Sequence, residues 1–278
     1  MTLPNIFSRF RFRMSLTFLL VLFEGILAIL FPLFIGYAIN DALKGTYDGA
    51  MMLGALGIVS LIIGAARRLF DSRFYARVYQ ELGYEIGTIE GLTPSKQTAR
   101  LSMLAEIVEF FENSIPQIFN SIIGLAGTLI IVASLNTKIF MGCLVILLVV
   151  FCVYALTKNK TIRFNTAYNN SLEQQVEILS KNDKPNLKSY LKDLMKWNIK
   201  LSDLETINFS VVWMLMMGFL VVSIIWSVEG VEVNYGDVFA LVMYVFQYIE
   251  SVITLPFFYQ QWLRLKEISS RLSHVTAT

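Results

Sequence analysis

Six long apolar runs dominate this sequence, at about 14–39, 49–66, 114–135, 138–157, 208–228 and 238–263. Each reaches or approaches the ~20 residues that a helix needs to cross ~30 Å of hydrocarbon. Backbone in lipid must satisfy its own hydrogen bonds, so runs of this length are expected to be helices. The fold class that follows is an all-α membrane protein with six transmembrane helices. The whole of 1–278 reads as a single polytopic domain, with no repeat or low-complexity tract.

The charges orient that bundle. Of 23 Lys and Arg, only Lys44, between spans 1 and 2, and Lys138, at the start of span 4, lie on one side. The other 21 lie before span 1, after spans 2 and 4, and after span 6. With an even number of crossings both termini share that side. The positive-inside rule makes it the cytoplasm of a plasma (inner) membrane protein. Charged residues make up 16% of the chain, against about 25% in soluble domains. The basic excess is local and marks topology. Nucleic-acid binding is not expected, because the aromatics sit in the spans rather than among the lysines. Arg9, Arg11 and Arg13 before an apolar run resemble a signal peptide, but the run continues to Ile39, too far for one.

The loops differ in kind. Those on the outer side are short, while the inner ones, about 67–113 and 158–207, are long and helical in spacing. In 99–113, Leu101, Leu104, Ala105, Val108 and Phe111 share a face, and Glu106, Glu109 and Glu112 occupy another. Similar patterns run through Leu172, Val176 and Leu179, and through Leu187, Leu191, Leu194, Met195, Ile199 and Leu204. Each inner loop is therefore expected to be two helical extensions, broken near Gly91–Pro94 and Asn182–Asn186. Their apolar stripes must be buried against each other or against a partner.

Two acids stand inside the apolar runs: Glu24 in the first and Glu250 in the sixth. Intramembrane carboxylates are expensive and usually face a bundle interior or a wet cavity. Such a group can carry a proton or pair with a cationic solute. Around Glu250, Met243, Phe246, Gln247, Ile253, Thr254 and Phe257 recur at helical spacing. An acid among aromatics and a methionine suits a lipophilic cation. The plain alternative is that these side chains only pack. Pro32, Pro116 and Pro256 interrupt spans 1, 3 and 6, either as hinges or as kinks tolerated by neighbouring helices. Arg67 and Arg68 close span 2, where snorkelling to the interface accounts for them. Cys143 and Cys152 lie nine residues apart in one span, about 13 Å along a helix, and cannot bridge. His274 is the only histidine and sits in a polar tail; the sequence offers no cluster of convergent metal ligands, and a Ser–His–Asp site in the membrane is excluded. Neither an enzyme nor a cofactor is expected.

Phe31-Pro32-Leu33-Phe34-Ile35-Gly36-Tyr37-Ala38-Ile39-Asn40-Asp41 resembles the end of the first helix of ABC exporter transmembrane domains. Ala99-Arg100-Leu101-Ser102-Met103-Leu104-Ala105-Glu106-Ile107-Val108-Glu109-Phe110-Phe111-Glu112, followed by Ile115-Pro116, resembles a small branch of that family without an attached ATPase. In keeping with that branch, the chain carries no G-x-x-x-x-G-K-[ST] phosphate loop, and no nucleotide-binding domain is expected within it. The resemblance implies a homodimer around a cavity lined by parts of helices 1, 3 and 6. It also implies coupling segments near 90–97 and 183–190, and helices 4 and 5 exchanged between the copies.

Three functions are compatible with these features. The first is a proton-coupled, ATPase-free transporter of a small amphipathic or cationic solute, using Glu24 or Glu250. The second is a permease subunit that borrows a separately encoded ATPase. The third is a non-transporting membrane scaffold or immunity-type protein.

Overall fold

The computed structural model describes residues 3–88, 94–173, 184–229 and 234–274. The described residues are almost wholly helical, and six of the helices are long and apolar enough to cross a membrane. In chain order they are α1 (Leu3–Leu43), α2 (Asp48–Gly87), α3 (Pro94–Glu109), α4 (Ile115–Leu135), α5 (Thr137–Glu173), α6 (Lys184–Val228) and α7 (Tyr235–His274). The expected six-span, all-α architecture is present. So are the long extensions: α5 and α2 continue about 16 and 21 residues past their apolar runs, and α6 begins more than 20 residues before its own. The breaks at Gly91–Leu92–Thr93 and Asn182–Asp183 lie outside the described residues, as does most of the stripe at Leu172, Val176 and Leu179.

The chain forms two compact units, Met1–Thr137 with Ile224–Thr278, and Lys138–Ser223. In the first, α1 packs against α2, α4 and α7, and α4 packs against α7. Its extension is held by a mostly aromatic and aliphatic core. Phe10 and Met14 of α1 meet Phe74, Tyr75, Val78, Leu82 and Ile86 of α2, together with Leu104, Ile107, Val108, Phe110 and Phe111. The stripe read on 99–113 is thus the buried face, except that Ala105 is exposed. Arg9 clamps the rim by donating to Glu85 at 2.5 Å and Glu81 at 3.5 Å.

The three prolines act differently. α1 stays helical through Pro32; its one non-helical residue, at a kink, is Phe10. Pro32 deprives the Ala28 carbonyl of its helical donor. One residue on, the Ile29 carbonyl accepts the buried Tyr244 hydroxyl of α7 at 2.8 Å. Before Pro116 the chain widens into a π turn, Phe110–Ser114, that joins α3 to α4. One extra residue in the turn gives room to the ring that an α-helix would force against the preceding carbonyl. α7 continues as helix through Pro256, whose side chain is outside the described residues.

The C-terminal end of α1 is tied to the N-terminal ends of α2 and α7. Gly236 N–H donates to Asn40 Oδ1 at 2.8 Å, and Asn40 Nδ2 donates to Asp237 Oδ1 at 3.1 Å. Asp41 Oδ2 accepts from Gly49 N–H at 2.9 Å, tying α1 to the start of α2. The backbones of α1 and α7 approach closely, since a Cβ on Gly236 would stand 2.0 Å from the Gly36 carbonyl oxygen.

In the second unit α5 and α6 run antiparallel. Tyr190 Oη donates to the Ser171 carbonyl at 2.8 Å, the Phe164 and Trp197 rings lie 6.2 Å apart, and Asn208 Nδ2 donates to Thr157 Oγ1 at 3.0 Å. Lys200 Nζ sits 4.6 Å above the Trp197 ring. Of the α6 stripe, Leu194 is buried, but Leu191, Met195 and Ile199 remain 42–58% exposed beside Lys192, Lys196 and Lys200. Burial of that stripe within the chain is therefore incomplete.

Candidate intramembrane polar site

The two intramembrane acids belong to different environments. Glu24 lies 19 residues from the end of α1, about 28 Å along it; Glu250 lies 15 residues into α7, about 22 Å. Because α1 and α2 are antiparallel, Glu24 comes level with Arg67, 19 residues into α2. Arg67 Nε donates to Glu24 Oε2 at 2.5 Å, and Arg67 Nη1 donates to Asp71 Oδ2 at 3.1 Å. The other Asp71 oxygen accepts the Thr17 hydroxyl at 2.7 Å, in a buried bond. Thr17, Glu24, Arg67 and Asp71 thus form one chain of polar contacts between α1 and α2. Exposure falls along it, from 26% for the Glu24 side chain to 12% for Arg67 and 3% for Asp71.

Snorkelling does not describe Arg67, which turns inward. Two carboxylates share the site's positive charge, and the guanidinium fork reaches both at once. The sequence reading missed Arg67, Asp71 and Thr17 as partners of Glu24. The signal was present: Thr17 and Glu24 are seven residues apart on α1, and Arg67 and Asp71 four apart on α2, so each pair shares a face. On its other side this part of α1 meets α4, where a Cβ on Gly25 would lie 3.0 Å from Ile123 and 3.2 Å from Asn120 Oδ1.

Glu250 is exposed, and its carboxylate has no cationic partner among the described residues. Phe246, one turn away, is also exposed at 47%, and Met243 is half-buried. Gln247 turns toward α4, where its Oε1 accepts the buried Thr128 hydroxyl at 3.4 Å. The Phe257 side chain lies outside the described residues. Phe246 and Glu250 are thus exposed on α7, while Gln247 is anchored to α4. No hydrogen bond or ion pair joins Glu250 to Glu24 among the described residues.

A polytopic helical bundle with long extramembrane extensions and charged groups inside its spans is a multi-pass membrane protein with a polar interior. The family model described as the ABC transporter transmembrane region matches residues 3–236, and the chain belongs to that family. No curated protein matches the chain. The family's activity is membrane transport, and the fold described above is the all-α transmembrane domain of that kind.

Proposed function

We propose that this protein is a proton-coupled transporter of a small amphipathic or cationic solute that works without an ATPase as a homodimer. One six-helix domain from each copy would enclose the route, with both termini in the cytoplasm beneath the plasma (inner) membrane. The observation that carries the reading is Glu250. A carboxylate on the outside of a membrane helix, without a cation beside it among the described residues, is too costly to leave against lipid tails. It is consistent with a wet cavity completed by a second copy, where Phe246 and Met243 add aromatic and thioether surface for a lipophilic cation. Glu24, Gln247 and Phe257 complete the proposed substrate and proton site. The exposed ridge of Leu191, Met195 and Ile199 supports the dimer, because it gives the second copy apolar surface to cover.

The test is solute flux into proteoliposomes under an imposed proton gradient without nucleotide. Uptake should collapse with the gradient, and Glu250→Gln should uncouple it. Unchanged flux in both cases would reject the reading.

A second reading is a permease subunit served by a separately encoded ATPase, and membership of an ABC transporter family favours it. It predicts nucleotide-dependent flux and an ATPase that co-purifies through the ends of the α2–α3 and α5–α6 extensions.

A further inference from the structure

The contact chain between α1 and α2 holds one guanidinium and two carboxylates, so fully ionised it carries a net negative charge inside the membrane protein. A single proton balances it. The two carboxylates are not equivalent recipients. Asp71 has both oxygens engaged, one by Thr17 and one by Arg67, and its side chain is almost sealed from solvent. Glu24 has one oxygen bound, is the most exposed member, and presents Oε1 toward Gly64, where even an added Cβ would stand 3.5 Å away. The absent side chain at Gly64 leaves that oxygen room.

We propose that Glu24, Arg67 and Asp71 form a one-proton site in which Glu24 exchanges the proton. Asp71, fixed by Thr17, is the standing counter-ion that holds Arg67 when Glu24 is neutral. Without Asp71, a neutral Glu24 would leave Arg67 as an uncompensated charge between α1 and α2, so Glu24 could not give up its ion pair cheaply. Asp71 and Thr17 are thus positioning residues for proton exchange. The other titratable groups facing the site are the neutral phenol of Tyr75 on α2 and Glu112 on the π turn, with Glu109 of α3 behind Glu112. This inference deepens the proposed transport reading, on which the use of the proton rests.

Dicyclohexylcarbodiimide, a lipid-soluble reagent for protonated carboxyls, tests it. The purified protein in liposomes is labelled across pH, and adducts at Glu24 are quantified by mass spectrometry. Glu24 should label with a sigmoidal fall as pH rises. Arg67→Gln should move the midpoint up by about one pH unit, or tenfold in labelling on the flank, as expected for a charge at ion-pair distance, and Asp71→Asn, which removes a more distant charge, should move it down by less. Thr17→Val keeps every charge and shape. It should move the midpoint up by a smaller amount, because Asp71 then draws more on Arg67. A Glu24 that never labels overturns the proposal, as does a midpoint that stays put or rises in Asp71→Asn. If Asp71→Asn does not insert, an unmoved or lowered midpoint in Thr17→Val overturns it equally. Expected labelling with flux indifferent to the proton gradient would sink the transport reading alone. Proton-driven flux with an unlabelled Glu24 would sink this one alone.

Discussion

The close crossing of α1 and α7 gives the sharpest stability prediction. Replacing Gly236 by Ala places a methyl 2.0 Å from the Gly36 carbonyl oxygen, and backbone, unlike a side-chain tip, cannot swing away. Reaching a comfortable ~3.5 Å separates the two helices locally by roughly 1.5 Å. The bonds from Gly236 to Asn40 and from Asn40 to Asp237, now 2.8 and 3.1 Å, would then break. Two hydrogen bonds contribute about 1 kcal/mol each, and forced overpacking costs about 1–3 kcal/mol. The better helix propensity of Ala returns at most ~1 kcal/mol. The net loss is about 2–4 kcal/mol. At roughly 2–4 °C per kcal/mol for a chain of this order of size, Tm should fall by roughly 5–15 °C. The measurement is thermal unfolding in one detergent, with Gly54→Ala as control, since a Cβ there meets nothing within 4 Å. Equal melting of the two variants would show that α1 and α7 do not touch at Gly36.

Three further outcomes are expected. Tyr244→Phe removes only the hydroxyl that reaches the Ile29 carbonyl at 2.8 Å, and should lower stability by about 1 kcal/mol in the same melt, because the carbonyl keeps its helical donor. Asn208→Leu removes the 3.0 Å bond to Thr157, whose hydroxyl still reaches the Val153 and Tyr154 carbonyls, so the change should stay near 0.6 kcal/mol, the average for such bonds in membranes. A loss above about 2 kcal/mol would contradict that account. For topology, with Cys143 and Cys152 replaced by Ala, Thr46→Cys should react with an impermeant maleimide in intact cells. Lys196→Cys should react only after permeabilisation, and the reverse pattern would invert the proposed orientation.

The length of each apolar run and the spacing within 99–113 made six spans and long extensions legible before any coordinates. Those signals are local, and local periodicity decides which residues share a helix face. What stayed hidden depends on pairing between distant segments. Arg67 at the end of an apolar run is compatible with reaching outward to water or inward to an acid. Only the antiparallel register of α1 and α2 brings it level with Glu24. The contact between Gly36 and Gly236 joins residues 200 positions apart, and a glycine carries no pattern that names its partner. Pro32 and Pro116 looked alike in sequence. One is absorbed by the helix near the Tyr244 hydroxyl, and the other sits behind a π turn, because each is accommodated by its own neighbours.

The knot at Asn40, Gly236 and Asp237 makes α1 a lever. From Gly36 down to Phe10, where α1 kinks, the helix runs 26 residues, or about 39 Å, so a 5° rotation about the glycine contact would sweep that end by about 3 Å. The aromatic packing of Phe10 against Phe74, and Arg9 against Glu81 and Glu85, means that the tip does not travel alone: α2 and α3 are carried through the same arc.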